Sequence, residues 1–378
     1  MMSVGVCRAW NVERAVLLVA VMTVWIGCGG SGERSAVDGY PNRELTFVED
    51  LAIGRSESDP VLFRSVTAID GDADGNVYVL DSQAPAVYAF DPDGDLRFTV
   101  ADGYDQRGSL QMIQTFFVAA DSIVAFDYRP IFAVFDGQTG EFRSRHAPIA
   151  DSETYGSPNA QPVGASSQAL VVMLAHAQEN IMANGDRDAV HVEGDGFGAS
   201  LWTGPSMEFL RYDPPGPAFM ASTDKPQGRD SFCAVRGELL YCAENDSLVF
   251  DVIRVSDGTS SRYTIPFEPL EATASDRGGW VEELRDDETF REMYAVPDRW
   301  RALEDLLIDD TGKLWMRVRV SRADSVVTWW VDDPQTDYRA YVTLPDSVEL
   351  HAVSGSKAYA RVRSGTGEQW AGRYNFEY

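Results

Sequence analysis

Apolar and polar residues alternate along most of this chain, in short runs separated by turns rich in aspartate and glycine. A two-residue period is typical of strands that bury one side. The clearest stretch predicts four consecutive strands, at Val66–Asp70, Asn76–Asp81, Val87–Asp91 and Leu96–Val100. The pattern therefore predicts an all-β protein built from four-stranded meanders.

The four-strand unit recurs with a period of about 45 residues, because Asp127 and Asp136 repeat the positions of Asp81 and Asp91. Four strands per repeat of this length indicate a propeller blade. More divergent units follow in 231–265 and 305–344, and a poorly patterned one lies in 160–213, where 179–204 reads as irregular. We expect a six-bladed β-propeller, with five or seven blades as the open alternatives.

The C-terminal unit supplies only three strands, at Val348–Val353, Lys357–Arg363 and Gln369–Phe376. An apolar segment at the other end of the domain, Glu44–Ile53, has no partner in the pattern. We expect it to complete the last blade and close the ring, because closure removes a sheet edge that would otherwise pair with other chains.

One insertion interrupts the repeats between the fourth and fifth blades. Trp280–Arg285 and Thr289–Tyr294 predict short helices, and Pro297 ends them. The sequence thus predicts a short helical insertion at about 277–296.

The chain begins with an apolar run from Ala15 to Gly27, preceded by Arg8 and Arg14. Such a run matches the core of a signal peptide and is too short for a membrane span, which needs roughly 20 residues. Its end, Trp25-Ile26-Gly27-Cys28, resembles a bacterial lipobox, although leucine is usual where Trp25 stands. The resemblance implies cleavage before Cys28 and lipidation of Cys28.

We therefore predict a signal peptide at 1–27, a lipidated flexible tether at 28–43 and the propeller domain at 44–378. An ordinary cleaved signal and an uncleaved membrane anchor are the alternatives. Gly29 gives no aspartate-type retention signal for the inner membrane, so an exported protein anchored at the cell envelope, in the outer membrane, is expected.

Two further cysteines, Cys233 and Cys242, flank a hairpin with a two-residue turn at Gly237-Glu238. Counting outward from that turn places the two cysteines directly opposite each other. An oxidising compartment would close them as a disulfide, and the alternative is a pair of buried thiols.

The formal net charge of −27 excludes nucleic acid as a partner, because no basic surface is available to neutralise phosphates. Membrane attachment must then rest on the lipid. The acidity is consistent either with attraction of cationic ligands or with solubility alone. We expect a monomer whose partner is an unknown protein or small molecule.

Asp70, Asp72 and Asp74 are followed by Gly75, and Asp81 takes the twelfth place of the run. This is the spacing of a calcium-binding loop, so calcium is the candidate cofactor. Strands rather than helices flank the run, and Tyr78 stands where such loops in propellers carry an acid. The alternative is a blade turn that uses aspartate and glycine for backbone reasons.

Recognisable catalytic motifs are missing from the sequence, which has no nucleophile elbow, phosphate loop or dinucleotide fingerprint. A zinc site built from separate blades could draw on the four histidines, at positions 146, 176, 191 and 351. Trp315, Trp329 and Trp330 alternate along strands, which favours packing between blades over a sugar-stacking surface.

The run Gly75–Asp81 and the following Val87–Gly94 resemble an NHL-type repeat. The lipobox, the tether and a charged insert before Leu306–Trp315 are together similar to the bacterial six-bladed β-propeller lipoproteins. That resemblance implies the fold far more than any chemistry. We therefore expect a non-catalytic, ligand- or protein-binding scaffold, and a metal-dependent, lactonase-like hydrolase or lyase with its site in the central channel is the alternative.

Overall fold

The computed structural model describes residues 40–100, 110, 112–119, 121–127, 131–146, 160–165, 169–175, 187–193, 200–207, 231–237, 239–254, 259–283, 298–322 and 325–378. The first fourteen strands are β1 (Arg43–Glu44), β2 (Val48–Ile53), β3 (Val66–Gly71), β4 (Val77–Asp81), β5 (Ala86–Phe90), β6 (Leu96–Val100), β7 (Ile113–Ala119), β8 (Ser122–Asp127), β9 (Ile131–Asp136), β10 (Phe142–His146), β11 (Ala160–Ala165), β12 (Ala169–Ala175), β13 (Arg187–Glu193) and β14 (Ser200–Met207). The others are β15 (Ser231–Arg236), β16 (Leu239–Glu244), β17 (Val249–Arg254), β18 (Ser260–Thr264), β19 (Leu303–Ile308), β20 (Leu314–Val318), β21 (Val326–Asp332), β22 (Arg339–Pro345), β23 (Val348–Ser354), β24 (Lys357–Arg363) and β25 (Gln369–Asn375).

Consecutive strands pair antiparallel and group into six sheets. Four of the sheets are simple meanders, namely β3–β6, β7–β10, β11–β14 and β15–β18. The fifth sheet, β19–β22, gains β1 at its outer edge, and β23–β25 gain β2. The described residues thus form an all-β propeller fold with almost no helix.

The last sheet joins the two ends of the domain, as the unpaired apolar segment predicted. β2 runs antiparallel to β25, with Val48 opposite Asn375 and Ile53 opposite Ala371. The start of the predicted strand behaves differently, because Arg43 and Glu44 pair in parallel with β22 of the neighbouring sheet. The N-terminal segment therefore spans two adjacent sheets.

The boundary of the predicted tether needs correction. Tyr40 stacks edge-on against Trp330 and Tyr341, with ring centroids 5.3 Å and 5.5 Å apart. Arg43 then enters β1. Residues 40–43, which we assigned to the tether, pack on the propeller because an aromatic ring at position 40 covers the buried aromatic residues of the fifth sheet.

The third unit is more regular than its composition predicts. The stretch 179–204 reads as irregular, yet β13 lies within it and β14 begins there. β13 pairs with β12 along seven residue pairs, from Ala169 opposite Glu193 to Ala175 opposite Arg187. Pairing with a strongly apolar neighbour thus overrides a weak local signal.

Helix α1 (Ala274–Glu283) lies between β18 and β19 in the described part of the chain. Thr273 and Asp276 form a reciprocal cap, in which the Asp276 carboxylate accepts the Thr273 N–H at 2.7 Å and the Thr273 hydroxyl accepts the Asp276 N–H at 3.2 Å. This arrangement is a capping box, and it fixes where the helix begins. The rest of the insertion predicted at 277–296 lies outside the described residues.

Apolar clusters hold neighbouring sheets together. Trp330 packs among side chains of the fourth and fifth sheets, whereas Trp315 and Trp329 pack between the fifth and the last. All three indole rings are almost completely buried. The predicted role of these tryptophans in packing between blades is therefore confirmed.

Candidate functional site

Aspartates of the candidate calcium loop form hydrogen bonds within the protein. The Asp72 carboxylate accepts hydrogen bonds from the backbone and side-chain nitrogens of Asn76, at 2.9 Å and 2.6 Å, and from the Tyr78 hydroxyl at 3.1 Å. These donors close the turn between β3 and β4. The Asp72 carboxylate thus stabilises the turn. A blade turn that uses aspartate and glycine in this way was the alternative explanation of the spacing.

Asp81 lies at the other end of β4 and binds the backbone of the segments before β3 and after β4. Its carboxylate accepts hydrogen bonds from three backbone N–H groups, those of Arg64, Ser65 and Gln83. In the described part of the chain, no three or more His, Cys, Asp or Glu side chains are grouped so that they could hold a metal ion. Asp70, Asp72 and Asp81 thus accept hydrogen bonds from the protein itself, and calcium binding by Asp70, Asp72, Asp74 and Asp81 stays a prediction.

The histidines do not lie together either. His146 is on β10, the outer strand of its sheet, His191 is on β13, and His351 is on β23. His176 lies outside the described residues. Among the described histidines, only His351 sits on the first strand of a sheet.

The first strands of all six sheets surround one cavity of about 180 Å³. Each of the six strands contributes to its wall, at Ile69, Phe117, Gly164, Ala234, Leu307 and Ala352. Gly164 permits close packing of two of these strands, because a Cβ there would lie 2.4 Å from Cγ1 of Val235. This central cavity is the candidate functional site.

The predicted disulfide stands at the edge of this cavity. Cys233 and Cys242 are directly opposite in the β15–β16 hairpin and are covalently joined. The register that was counted from the turn, with Arg236 opposite Leu239, is also found. Cys233 itself lines the cavity, so the bond braces one wall of the site.

Asp70 brings a carboxylate to the cavity wall. One of its oxygens accepts the Gly71 N–H at 2.8 Å, and the other accepts the Val118 N–H of the neighbouring sheet at 2.7 Å. Asp70 therefore links β3 to β7 in addition to lining the cavity.

His351 lines the cavity from β23, and its side chain is 16% exposed. Burial lowers the pKa of His351 to about 4, against the opposing effect of the nearby Glu349 carboxylate. The imidazole is therefore neutral near pH 7. Its Nε2 atom lies 3.5 Å from Oε1 of Glu349, is buried and forms no hydrogen bond.

Glu349 is held by an arginine beside the cavity. Burial alone would raise the pKa of Glu349, but the hydrogen bond from Arg361 and the charges of Arg361 and Arg363 lower it below its ordinary value. Arg361 also donates to the Val66 carbonyl at 2.6 Å, which ties the last sheet to the first meander. The Glu349 carboxylate is thus an ionised, paired group.

Asp305 lies on β19, which contacts β23 of the neighbouring sheet. Burial raises the pKa of Asp305 to about 6, although the Leu306 N–H bond and the charge of Arg317 oppose this shift. The Leu306 N–H donates to Oδ1 of Asp305 at 2.8 Å. The cavity is therefore lined by apolar side chains together with polar groups, among them Asp70 and the neutral imidazole of His351, and Asp305 and Glu349 lie on strands that line it.

We expect Asp305→Asn to stabilise the protein at pH 8 by about 1–2 kcal/mol and to leave it nearly unchanged at pH 4. The folded-state pKa of about 6 exceeds the ordinary value of 3.8, so the stability that this group contributes is present below pH 3.8 and is lost as pH rises through 6. The amide keeps the acceptor for the Leu306 N–H and never ionises. Urea unfolding at both pH values measures the difference.

The exposed Asp346→Asn provides the control for this prediction and should give the same small change at both pH values. His351 changes the free energy of unfolding in the opposite direction, because its lowered pKa removes stability as pH falls from 6.5 towards 4. The comparison is therefore made between variant and parent at each pH. An equal effect of Asp305→Asn at pH 4 and pH 8 would contradict the buried-carboxyl explanation.

Asp305 was not predicted from the sequence as a site residue, and His351 was predicted only as a candidate zinc ligand. Both residues belong to the first strand of a four-strand repeat, which is the strand nearest the axis in a propeller. A polar residue in such a strand was therefore a signal by which these two residues could have been found.

Cys28 lies outside the described residues, and within the described part of the chain no helix has the length and apolarity required to cross a membrane.

No model of a known protein family matches this chain, and no curated protein matches its sequence. Many solved structures are similar in fold, and two examples follow. A proposed exported protein of Bacteroides fragilis NCTC 9343 aligns with a TM-score of 0.50 and 11% identity, over 89% of this chain and 95% of that one. A member of the DUF4221 family from Bacteroides vulgatus ATCC 8482 aligns with a TM-score of 0.51 and 9% identity, over 89% and 99%. At such low identities the similarity shows the fold alone.

Proposed function

We propose that this chain is an exported, lipid-anchored β-propeller of the bacterial envelope that binds a ligand or a protein without catalysing a reaction. The observation that carries the proposal is how the channel carboxylates are used. Asp70 and Asp305 accept backbone N–H groups, and Glu349 is paired with Arg361. Groups fixed in this way support a rigid binding surface.

We further propose that the six sheets are six blades of one closed ring. The support is that the first strand of every sheet borders the same central cavity. The pairing of β2 with β25 supports closure through a blade that both ends of the domain share. A rigid ring of this kind suits a scaffold, because loops on a fixed frame can present a binding surface.

Three observations support export. The Cys233–Cys242 disulfide is typical of proteins that fold in an oxidising compartment. The first 27 residues have the pattern of a signal peptide. One of the proteins with a similar fold is described as a proposed exported protein. The lipobox-like end of the run adds an anchor at Cys28, and the net charge of −27 favours a neutral or cationic partner over nucleic acid.

Replacing Cys28 by alanine tests the anchor. The variant should leave the membrane fraction and appear in the soluble envelope fraction, because it lacks the sulfur that carries the lipid. Cys7→Ala is the matched control, since Cys7 would be removed with the signal peptide, and it should remain membrane-bound. Membrane retention of Cys28→Ala with an uncleaved N-terminus would contradict the proposal.

Metal analysis of the native protein tests the non-catalytic assignment. We expect no stoichiometric ion and no change in melting temperature on addition of EDTA. A bound ion together with metal-dependent turnover of lactones or esters would favour the hydrolase or lyase alternative instead.

A further inference from the structure

The central cavity has the size and the walls of a site for a small organic molecule. Its volume of about 180 Å³ is close to that of protein cavities that accept benzene. Its wall combines apolar side chains from separate sheets, including Ile69, Phe116, Ala234, Leu306 and Val353, with polar atoms that form the larger part of the exposed lining. A ligand of about eight non-hydrogen atoms that has both an apolar and a polar part therefore fits.

His351 presents a hydrogen-bond acceptor to this cavity. Its Nε2 atom is buried beside the Glu349 carboxylate, which leaves Nδ1 as the ring nitrogen for a ligand in the cavity. A carboxylate 3.5 Å from Nε2 favours the tautomer with the proton on that atom. Nδ1 then carries a lone pair and accepts a hydrogen bond.

The negative charge around the cavity also favours a ligand that donates hydrogen bonds and is positively charged. Asp70 places a carboxylate in the wall, and the whole chain carries a formal charge of −27. Anions are therefore repelled from the cavity, and a cation is attracted. A primary ammonium group meets both requirements, because it is positively charged and donates up to three hydrogen bonds.

We propose that the central cavity binds a small primary amine, whose apolar part packs against the channel walls and whose ammonium group donates to Nδ1 of His351 beside the Asp70 carboxylate. This inference rests on the proposed non-catalytic binding function and names the chemical class of its ligand. The amine is bound and released unchanged.

Binding of benzylamine, benzyl alcohol and benzoate to the full-length protein in detergent tests the proposal by saturation-transfer NMR. The three probes share a ring and differ in charge. Benzylamine should bind at least tenfold more tightly than benzyl alcohol, and benzoate should not bind. Equal binding of all three, preference for benzoate, or no binding of benzylamine at millimolar concentration would overturn the proposal.

Two variants locate the contact. His351→Leu should weaken benzylamine binding about tenfold, because one hydrogen bond to a charged donor is lost. His351→Gln, which retains an acceptor, should recover part of that loss. A His351→Leu variant that binds benzylamine as the parent does would refute the role of the imidazole.

Ala234→Phe is the control for partition into detergent, because a phenyl ring at this buried wall position fills the cavity. It should abolish binding of both benzylamine and benzyl alcohol while the protein still melts cooperatively. Binding that survives in this variant would show that the probes occupy another place. Absence of amine binding would refute only this inference. The proposed function is tested separately, by release of the Cys28→Ala variant from the membrane and by assays for turnover of lactones or esters.

Discussion

Replacing Asp309 by alanine is expected to lower the free energy of unfolding by about 3–5 kcal/mol. The residue is completely buried, and its carboxylate closes the turn between β19 and β20. Oδ1 accepts the backbone N–H groups of Thr311 and Lys313, at 2.8 Å and 3.0 Å. Oδ2 accepts the Trp315 indole N–H at 3.1 Å and the hydroxyl of Tyr378. Alanine would leave these donors without a partner in a dry environment.

Asparagine should be nearly as harmful at this position. Both oxygens of Asp309 receive donors, so the amide nitrogen of Asp309→Asn must face at least one N–H or O–H group. Asp91→Asn is the matched control, because Asp91 uses only Oδ1 to accept the backbone N–H groups of Asp93 and Asp95. That variant should cost less than about 1 kcal/mol. Urea unfolding followed by tryptophan fluorescence measures both, and equal losses would refute the network explanation.

The turn that contains Asp309 also shows what the sequence could predict. Asp72, Gly75 and Tyr78 have the same spacing as Asp309, Gly312 and Trp315, and in both turns the aromatic side chain donates to the aspartate. Both glycines adopt positive φ, 90° and 89°, which favours glycine at that place. The repeat of this pattern was therefore a signal for both turns that could have been read from the sequence. The calcium hypothesis did not consider the aromatic donor six residues after the aspartate.

Strands with little apolar alternation could not be located from the sequence. β1 has only two residues, too few to show any period, and its place beside β22 depends on the packing of Tyr40 against Trp330. β13 and β14 are likewise positioned by pairing with β12. Such pairings join residues that are distant or weakly patterned, so a local reading of the chain does not reveal them.

The side chains that face the cavity were also beyond local prediction. Five of the six first strands carry an irregularity in register, for example between Leu303 and Asp305 and between Leu350 and Ala352. One extra residue exchanges the two faces of a strand beyond that point. Simple alternation therefore identifies these strands but does not indicate that His351 faces the cavity.

Deleting residues 45–54, which include β2, is expected to remove most of the stability of the whole propeller, a loss of about 5 kcal/mol or more. The deletion takes away two buried apolar side chains, Leu45 and Ile53, and exposes the edge of β25. It also takes away Asp50, whose carboxylate pairs with Arg373 at 3.0 Å. Thermal unfolding should show a single transition at a much lower temperature, because closure couples the ends of the ring.

Asp50→Ala isolates the ionic part of this closure and guards against a deletion variant that does not fold. The Arg373 side chain is only 7% exposed, and besides Asp50 it donates to the Gly75 carbonyl at 2.6 Å, in the turn before β4. Loss of Asp50 leaves that buried cation without its carboxylate partner, which should cost about 2–4 kcal/mol. Deletion of residues 29–38 is the control and should leave the melting temperature unchanged. If removing 45–54 has no larger effect than this control, the two ends of the domain do not close the ring through β2.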